Sequence, residues 1–328
     1  MATGSMAETL LEEISSGKRV RSRSMQRVRE VLIRGLLVAC GAFSVLITTT
    51  IILVLFSQAF IFFTREFRIG QNEHFQVSIW SFFTGTEWDI GIGSTKKFGV
   101  WPLIAGTLLV TVVAMAVALP TGLVTAVYLS EYAPRKLRNF LKPVLELLAG
   151  VPTVVFGFFA LEVITPSLKL VSSAFEGYNA LSAGIAVGIL CIPIVCSLTE
   201  DALQAVPRAL REGALGLGGT KFDVATKVVV PAALSGIISA FLLAVSRAIG
   251  ETMVVALAAG STPRITLDPT KSVQTMTGLI ASVAHGELSA EGVEYFSIYG
   301  VGATLFTITF ALTLLGQRIR LRYRESYK

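Results

Sequence analysis

Six apolar stretches, each about twenty residues or longer, constrain this chain more than any other feature. They run about 32–63, 102–129, 143–165, 179–198, 229–259 and 298–317. A helix needs about 20 apolar residues to cross a hydrocarbon core of roughly 30 Å. A spanning backbone must also satisfy its own peptide groups, which a helix does. The sequence therefore predicts an all-α fold, a polytopic transmembrane helical bundle of six spans. Composition agrees, with 53% hydrophobic and 15% charged residues and a mean hydropathy of +0.69. A soluble domain carries about a quarter charged residues. The first stretch is too long for the apolar core of a signal peptide, and no small-residue cleavage site follows it. It is expected to remain as a helix.

Lys and Arg mark the sidedness. The segment before the first stretch holds Lys18, Arg19, Arg21, Arg23, Arg27 and Arg29, with Arg34 just inside it. Arg135, Lys136, Arg138 and Lys142 follow the second stretch, and Arg208, Arg211, Lys221 and Lys227 follow the fourth. Arg318, Arg320, Arg322, Arg324 and Lys328 close the chain. The alternate loops are poorer, with Arg65, Arg68, Lys96 and Lys97 in the first, Lys169 in the second, and Arg264 and Lys271 in the third. Both termini are expected in the cytoplasm. The expected division is a cytoplasmic tail at 1–31, a first span at 32–63, an external loop at 64–101 and core spans within 102–259. A second external loop at 260–297, a last span at 298–317 and a tail at 318–328 complete it. The net charge of +6 reflects juxtamembrane clusters rather than a folded basic surface, which argues against nucleic-acid binding.

Several functional classes drop out. Cys40, Cys191 and Cys196 all fall inside apolar stretches without metal spacing, and His74 and His285 are far apart in external loops. No metal site is expected. Gly17-Lys18 is followed by Arg19, and Gly218-Gly219-Thr220-Lys221 has the wrong order for a phosphate-binding P-loop. No internal repeat is apparent. Trp80, Phe82, Phe83, Trp88 and Trp101 enrich the loop 64–101, as suits a membrane interface or a docking platform. Breakers such as Pro120, Pro152 and Pro193 fit a bundle of bent helices, moving or static.

The most specific pattern lies in the loop 200–231. Residues 200–217 read as one helix, with Leu203, Leu210, Ala214 and Leu217 at helical spacing. Gly218-Gly219 would end it, since glycine takes the left-handed cap conformation freely. Thr220 and Asp223 form a capping-box pattern for a second helix that meets Pro231. The segment reads Glu212-Gly213-Ala214, three residues, Gly218, nine residues, Val228, one residue, Val230-Pro231. In that spacing it resembles the EAA loop of ABC importer permeases, with Gly213 in place of the usual alanine. The resemblance implies a type I ABC importer permease fold. It also implies that Glu212, Gly213, Ala214, Gly218 and Pro231 couple the spans to an ATPase.

The likeness extends over most of the chain, toward the phosphate-importer branch and its C-type permease. It is carried by Phe82-Phe83-Thr84-Gly85-Thr86-Glu87-Trp88, Gly106-Thr107-Leu108 and the run Tyr128 to Pro134. The run Glu146 to Gly157 and Arg247-Ala248-Ile249-Gly250-Glu251-Thr252-Met253 also carry it. The A-type partner has Ala-Pro where Met253-Val254 stands here.

Arg247 and Glu251 sit deep in the fifth stretch, four residues apart, where helical spacing would let them pair. Such a charge at a helix centre costs about 2.5–3.5 kcal/mol. They can serve as a structural ion pair or as a station for an oxyanion, for which the fork of Arg is suited. The resemblance places both on the transport path. Glu146 and Glu162 lie near the ends of the third stretch, and Glu146 is expected to be structural or gating.

The resemblance further implies a bacterial inner-membrane location, a second A-type permease, two copies of an ATP-binding subunit and a soluble phosphate-binding protein. Phosphate is the implied cargo, and lipid surrounds the chain. The chain itself is expected to bind no cofactor, ATP and Mg being held by the ATPase subunits, and to be no enzyme. Importers of phosphonate, sulfate or molybdate share the scaffold. An ion-coupled secondary transporter would instead show inverted repeats.

Overall fold

The structure, a computed structural model, describes residues 3–69, 73–90, 96–286 and 292–322. It divides into two units, Met1–Ser57 and Gln58–Lys328. The first is most of one helix, α1 (Thr3–Thr64). From Arg27 onward α1 is long and apolar enough to cross a membrane. Val31, Leu36, Phe43, Leu46 and Leu53 are exposed along it, as suits a surface that meets lipid or another helix.

The second unit opens with a small lobe. Strand β1 (Phe67–Ile69) pairs antiparallel with β2 (Glu73–Phe75). Helix α2 (Ile79–Thr84) follows, and then β3 (Trp88–Asp89) pairs antiparallel with β4 (Lys97–Phe98). Strands this short carry no readable alternation, so the sequence pointed only to a loop. Phe62, Phe82, Trp88 and Phe98 form an edge-to-face cluster, with ring centroids 5.7 Å apart for Phe62 and Phe98 and 5.5 Å for Trp88 and Phe98. The loop aromatics thus divide. Phe82 and Trp88 are core, while Trp80, Phe83 and Trp101 are exposed. Lys96 pairs with Glu294 and ties the lobe to the last helix.

The centre of the unit is the packing of α3 (Trp101–Val127) on α7 (Ala180–Gln204). The two run parallel, since Gly184 meets Val113 near one end and Gly122 meets Val195 near the other. A Cβ on Gly122 would come 2.6 Å from Val195 Cγ1, so only glycine permits this approach. Val110, Ala114, Ala118, Ala183, Val187 and Leu190 fill the seam. Past α3 comes a π-helical turn, Tyr128–Tyr132. Next are α4 (Arg135–Ala149), α5 (Thr153–Phe159), a second π turn at Ala160–Ile164 and α6 (Thr165–Val171). After α7 come α8 (Arg208–Gly216) and α9 (Lys221–Val224), then a third π turn at Ala225–Val229 and α10 (Val230–Ala232). The chain returns through α11 (Leu234–Ile249) and α12 (Met253–Ala258), and ends with α13 (Met276–His285) and α14 (Val293–Arg322). Among the described residues five helical segments are long and apolar enough to span a membrane, and a sixth appears if the pair Lys221–Ala232 and Leu234–Ile249, bent by 71°, counts as one. The expected class, a mostly helical membrane bundle, is what the chain adopts.

Two predicted spans are corrected. The stretch at 143–165 falls across two helices. Gly150-Val151-Pro152 interrupts them, and the long apolar segment is Thr153–Val171. The preceding α4 buries none of its residues, and Glu146 stands exposed on it rather than at the end of a span. An apolar window cannot see a break made by Gly and Pro, and it merged the apolar tail of α4 with α5. The stretch at 229–259 is likewise interrupted, since α11 stops at Ile249 and α12 restarts at Met253.

Much of the loop expected at 260–297 is ordered against the bundle. Asn179 N donates to Ala258 O at 3.1 Å, and Val273 N donates to Ala259 O at 3.0 Å. Gly260 takes φ +99°, where a Cβ would meet Ser272 Oγ at 2.1 Å. Glu176 clips this loop from the other side. Its carboxylate accepts from Ser272 N at 2.7 Å and lies 3.4 Å from Arg264 Nη2 and 3.7 Å from Lys271 Nζ. The Ser272 amide first, then the two cations, hold this carboxyl below its usual range against desolvation. A depressed carboxylate contributes stability above its unfolded pKa and loses it as pH falls through the folded value. The clip therefore holds at neutral pH and fails only in acid. Glu176→Gln should release it at neutral pH and speed tryptic cutting after Arg264 and Lys271 several-fold in the solubilised complex. Unchanged cleavage would remove Glu176 as the fastener.

Candidate functional site

At the end where α3 and α7 stop, the loop 200–231 folds into a lever. The helix expected over 200–217 is broken at Pro207, which cannot donate a helical hydrogen bond, so α7 ends at Gln204 and α8 begins at Arg208. Gly218 ends α8 in the left-handed conformation, φ +86°. The capping box is formed, with Asp223 N donating to Thr220 Oγ1 at 3.2 Å and Thr220 N donating to Asp223 Oδ2 at 3.2 Å. Pro231 lies in α10, just before the bend into α11.

The two faces of α8 differ. Leu210 and Ala214 pack on a cluster of Leu129, Leu203, Val206 and Val224. Glu212 and Gly213 are exposed, and Leu215, Leu217 and Phe222 present 48%, 91% and 66% of their surface. A Cβ on Gly213 would meet nothing within 4 Å, so alanine fits there within this chain. An exposed apolar ridge beside an acid suits a partner surface.

Behind this ridge lie two ionic knots that sequence reasoning did not find. Arg211 reaches Glu131 of the π turn after α3, with Nη2 3.1 Å from Oε1. Glu200 of α7 is 1% exposed and accepts from Arg138 Nε at 2.5 Å and from Gln204 Nε2 at 2.8 Å. Lys142 stands 3.3 Å from Glu200 Oε2 and 2.9 Å from Asp201 Oδ1. The bond to Asp201 leads in holding the Lys142 ammonium above the usual lysine value. The available hint was Arg138 and Lys142 one helical turn apart, facing an acid pair at the end of α7.

Deeper in the bundle, Arg247 and Glu251 flank the break between α11 and α12. Their expected stacking on one helix face does not occur, because α11 ends at Ile249 and Gly250 caps it. Among the described residues neither side chain makes an ion pair or hydrogen bond with another. Arg247 is exposed, while Glu251 is only 6% exposed. The Glu251 backbone is fixed at both ends, its N donating to Ala248 O at 3.3 Å and its carbonyl accepting from Thr277 Oγ1 at 2.6 Å. Ala244 and Ala248 of α11 and Val254 and Val255 of α12 share a core cluster with Cys191 of α7, which places the break beside the central seam. No group of His, Cys, Asp and Glu suited to a metal occurs among the described residues.

Comparison with known proteins places this geometry. Residues 118–324 match the family described as binding-protein-dependent transport system inner membrane component. The probable ABC transporter permease protein YqgH of Bacillus subtilis is 33% identical, over 73% of this chain and 77% of its own. The phosphate transport system permease protein PstC of Mesorhizobium japonicum is 34% identical, over 74% of this chain and 78% of its own. Among solved structures, a bacterial ABC transporter involved in import of the acidic polysaccharide alginate aligns with a TM-score of 0.60 at 12% identity, covering 91% of this chain and all of that one. An inward-facing methionine ABC transporter aligns with a TM-score of 0.51 at 17% identity, covering 69% of this chain and 95% of that one. At such identity these two speak for the fold alone, a type I importer permease. The family match and the relatives together make the chain a multi-pass permease of an ABC importer, and it belongs to the C-type permeases of the phosphate transport systems.

Proposed function

We propose that this chain forms half of the pathway by which an ATP-driven importer carries inorganic phosphate into the cell. The carrying observation is the pair of unpartnered charges at the α11–α12 break. Ionisable side chains inside a membrane protein that lack a partner in their own chain mark substrate paths or subunit contacts. Among the described residues neither Glu251, 6% exposed, nor the exposed Arg247 four residues earlier has an ion pair or hydrogen bond to its side chain. A facing A-type permease would complete the site, with phosphate held on the Arg247 guanidinium and the nearby Glu251 carboxylate favouring its release. The relatives named for phosphate transport support the choice of cargo.

The remaining parts follow from charge and exposure. Lys and Arg crowd the end that carries α4 and α8, so this end faces the cytoplasm, as do both termini. The exposed ridge of α8, with Glu212 and Gly213, docks on one of two ATP-binding subunits, which supply the ATP and Mg chemistry. Gly218 and Pro231 set the angles of the lever, and Ala214 seats it. Glu146, exposed on α4, is free to meet a neighbouring subunit as a gating or structural acid. The aromatic lobe and the loop after α12 face outward and receive a soluble phosphate-binding protein.

Co-expression with its neighbours is the test. The purified complex should contain an ATPase and a second permease, and in proteoliposomes it should take up labelled phosphate only with ATP and the binding protein. Competition by sulfate, molybdate or phosphonate at equal concentration should be weak. Uptake driven by an ion gradient without ATPase subunits would overturn the reading, and strong competition by another oxyanion would reassign the cargo.

A further inference from the structure

We propose that Arg211 is the positioning residue that welds the coupling helix to both central spans, so that movement of α8 enters α3 and α7 together. This rests on the reading of α8 as the ATPase-docking helix.

The weld is visible in its contacts. Arg211 Nη1 donates to Val206 O and Nη2 to Leu203 O, each at 2.6 Å. Leu203 is in the last turn of α7 and Val206 just past it. Pro207 offers no N–H to Leu203 O, which takes a long bond from Val206 N at 3.3 Å, and the helix dipole there favours a cation. The same guanidinium meets the Glu131 carboxylate, Nη2 to Oε1 at 3.1 Å and Nε to Oε2 at 3.4 Å. Glu131 also accepts from Ser130 Oγ at 2.8 Å and belongs to the π turn that ends α3. Arg211 and Glu131 are 19% and 12% exposed, so solvent screens the contact only partly. Adjacent helix positions point about 100° apart. Glu212 thus faces out toward the docking surface while Arg211 turns in toward the spans. The flanking hinges, Ala205–Pro207 and Gly218, would otherwise let α8 swing free of the bundle. The planar fork of Arg spreads four contacts over three nitrogens, to two carbonyls and both oxygens of a carboxylate, which a single ammonium nitrogen with three donors cannot match.

The experiment measures ATP turnover and labelled phosphate uptake on the full complex in proteoliposomes, both normalised to assembled complex. Arg211→Gln should hydrolyse ATP within about twofold of wild type, while phosphate moved per ATP falls about tenfold or more. Arg211→Lys should fall about threefold, since an ammonium cannot serve all the acceptors. A merely structural residue would lower complex yield and leave the ratio of uptake to ATP unchanged, and that result overturns the proposal. Should Arg211→Gln fail to assemble, Glu131→Gln keeps both carbonyl bonds and should still lower the ratio; an unchanged ratio there overturns the proposal too. The swap of Arg211→Glu with Glu131→Arg should not recover the ratio, because a carboxylate would then face the Leu203 and Val206 oxygens; recovery would reduce the weld to a simple ion pair and overturn it. Glu212→Lys is run in parallel. If it uncouples while Arg211→Gln does not, the weld alone falls. If it transports normally, the assignment of α8 to the ATPase falls and the weld with it.

Discussion

Arg247→Gln should abolish phosphate uptake while the complex still assembles. Glutamine keeps polarity and most of the length but removes the charge that offsets a desolvated anion. Hydrogen bonds to a charged group are worth about 1.5–3 kcal/mol each. Losing a two-pronged contact therefore costs about 3 kcal/mol, or about a hundredfold in occupancy of the site. Arg247→Lys should recover only part of this, because an ammonium is a point charge without the fork. Glu251→Gln should differ in kind, removing a nearby negative charge that repels the anion, so that phosphate is held longer and turnover slows more than affinity. A purely structural ion pair predicts another pattern, in which exchanging the residues restores transport. The chain shows no such pair, so Arg247→Glu with Glu251→Arg should stay inactive. Uptake of labelled phosphate in vesicles, normalised to assembled complex, decides between them. Normal uptake by Arg247→Gln would take this residue off the pathway.

What was legible in the sequence was what is local or long. α3 and α7 carry apolar runs longer than any averaging window, and the left-handed Gly218 and the Thr220–Asp223 box are set by residues within one turn of each other. Breaks were harder. Gly150-Val151-Pro152 interrupts an apolar run without making it less apolar, and the single Glu of Gly250-Glu251-Thr252 is averaged away by the long apolar flanks, so hydropathy passed over both and misplaced Glu146 and the Arg247–Glu251 geometry. Helix α13, only 10 residues long, was too short to register. The ionic knots were beyond reach for another reason. Glu131 and Arg211 are separated by 80 positions, and Arg138 and Glu200 by 62, so only the parallel packing of α3 on α7 brings their elements to one end. A functional resemblance carried by short runs marks which residues matter without showing which ones touch.

Arg138→Met should destabilise the chain more than Glu200→Gln does, although both break the same contact. Glu200 is 1% exposed, and Arg138 Nε donates to its Oε1 at 2.5 Å. Removing one partner of a buried pair costs about 3–5 kcal/mol, because the remaining charge is stranded. Here the side chain of Arg138 is 32% exposed and Lys142 and Gln204 stay in place, so solvent and neighbours reduce the loss to about 2 kcal/mol. Glu200→Gln strands nothing deep. Arg138 and Lys142 both reach water, Lys142 keeps Asp201, and the amide keeps the shape of the carboxylate. Its cost should be about 1 kcal/mol. Replacing a buried pair with apolar groups is often neutral, so Arg138→Met combined with Glu200→Met should recover most of what Arg138→Met loses. Thermal midpoints of the purified complex, compared in one detergent, give the order directly. If Glu200→Gln proves the worse variant, the carboxylate is needed for itself rather than stranded by loss of its partner. In that case α4 is held to α7 by its apolar contacts, and the knot is a consequence of that packing rather than its cause.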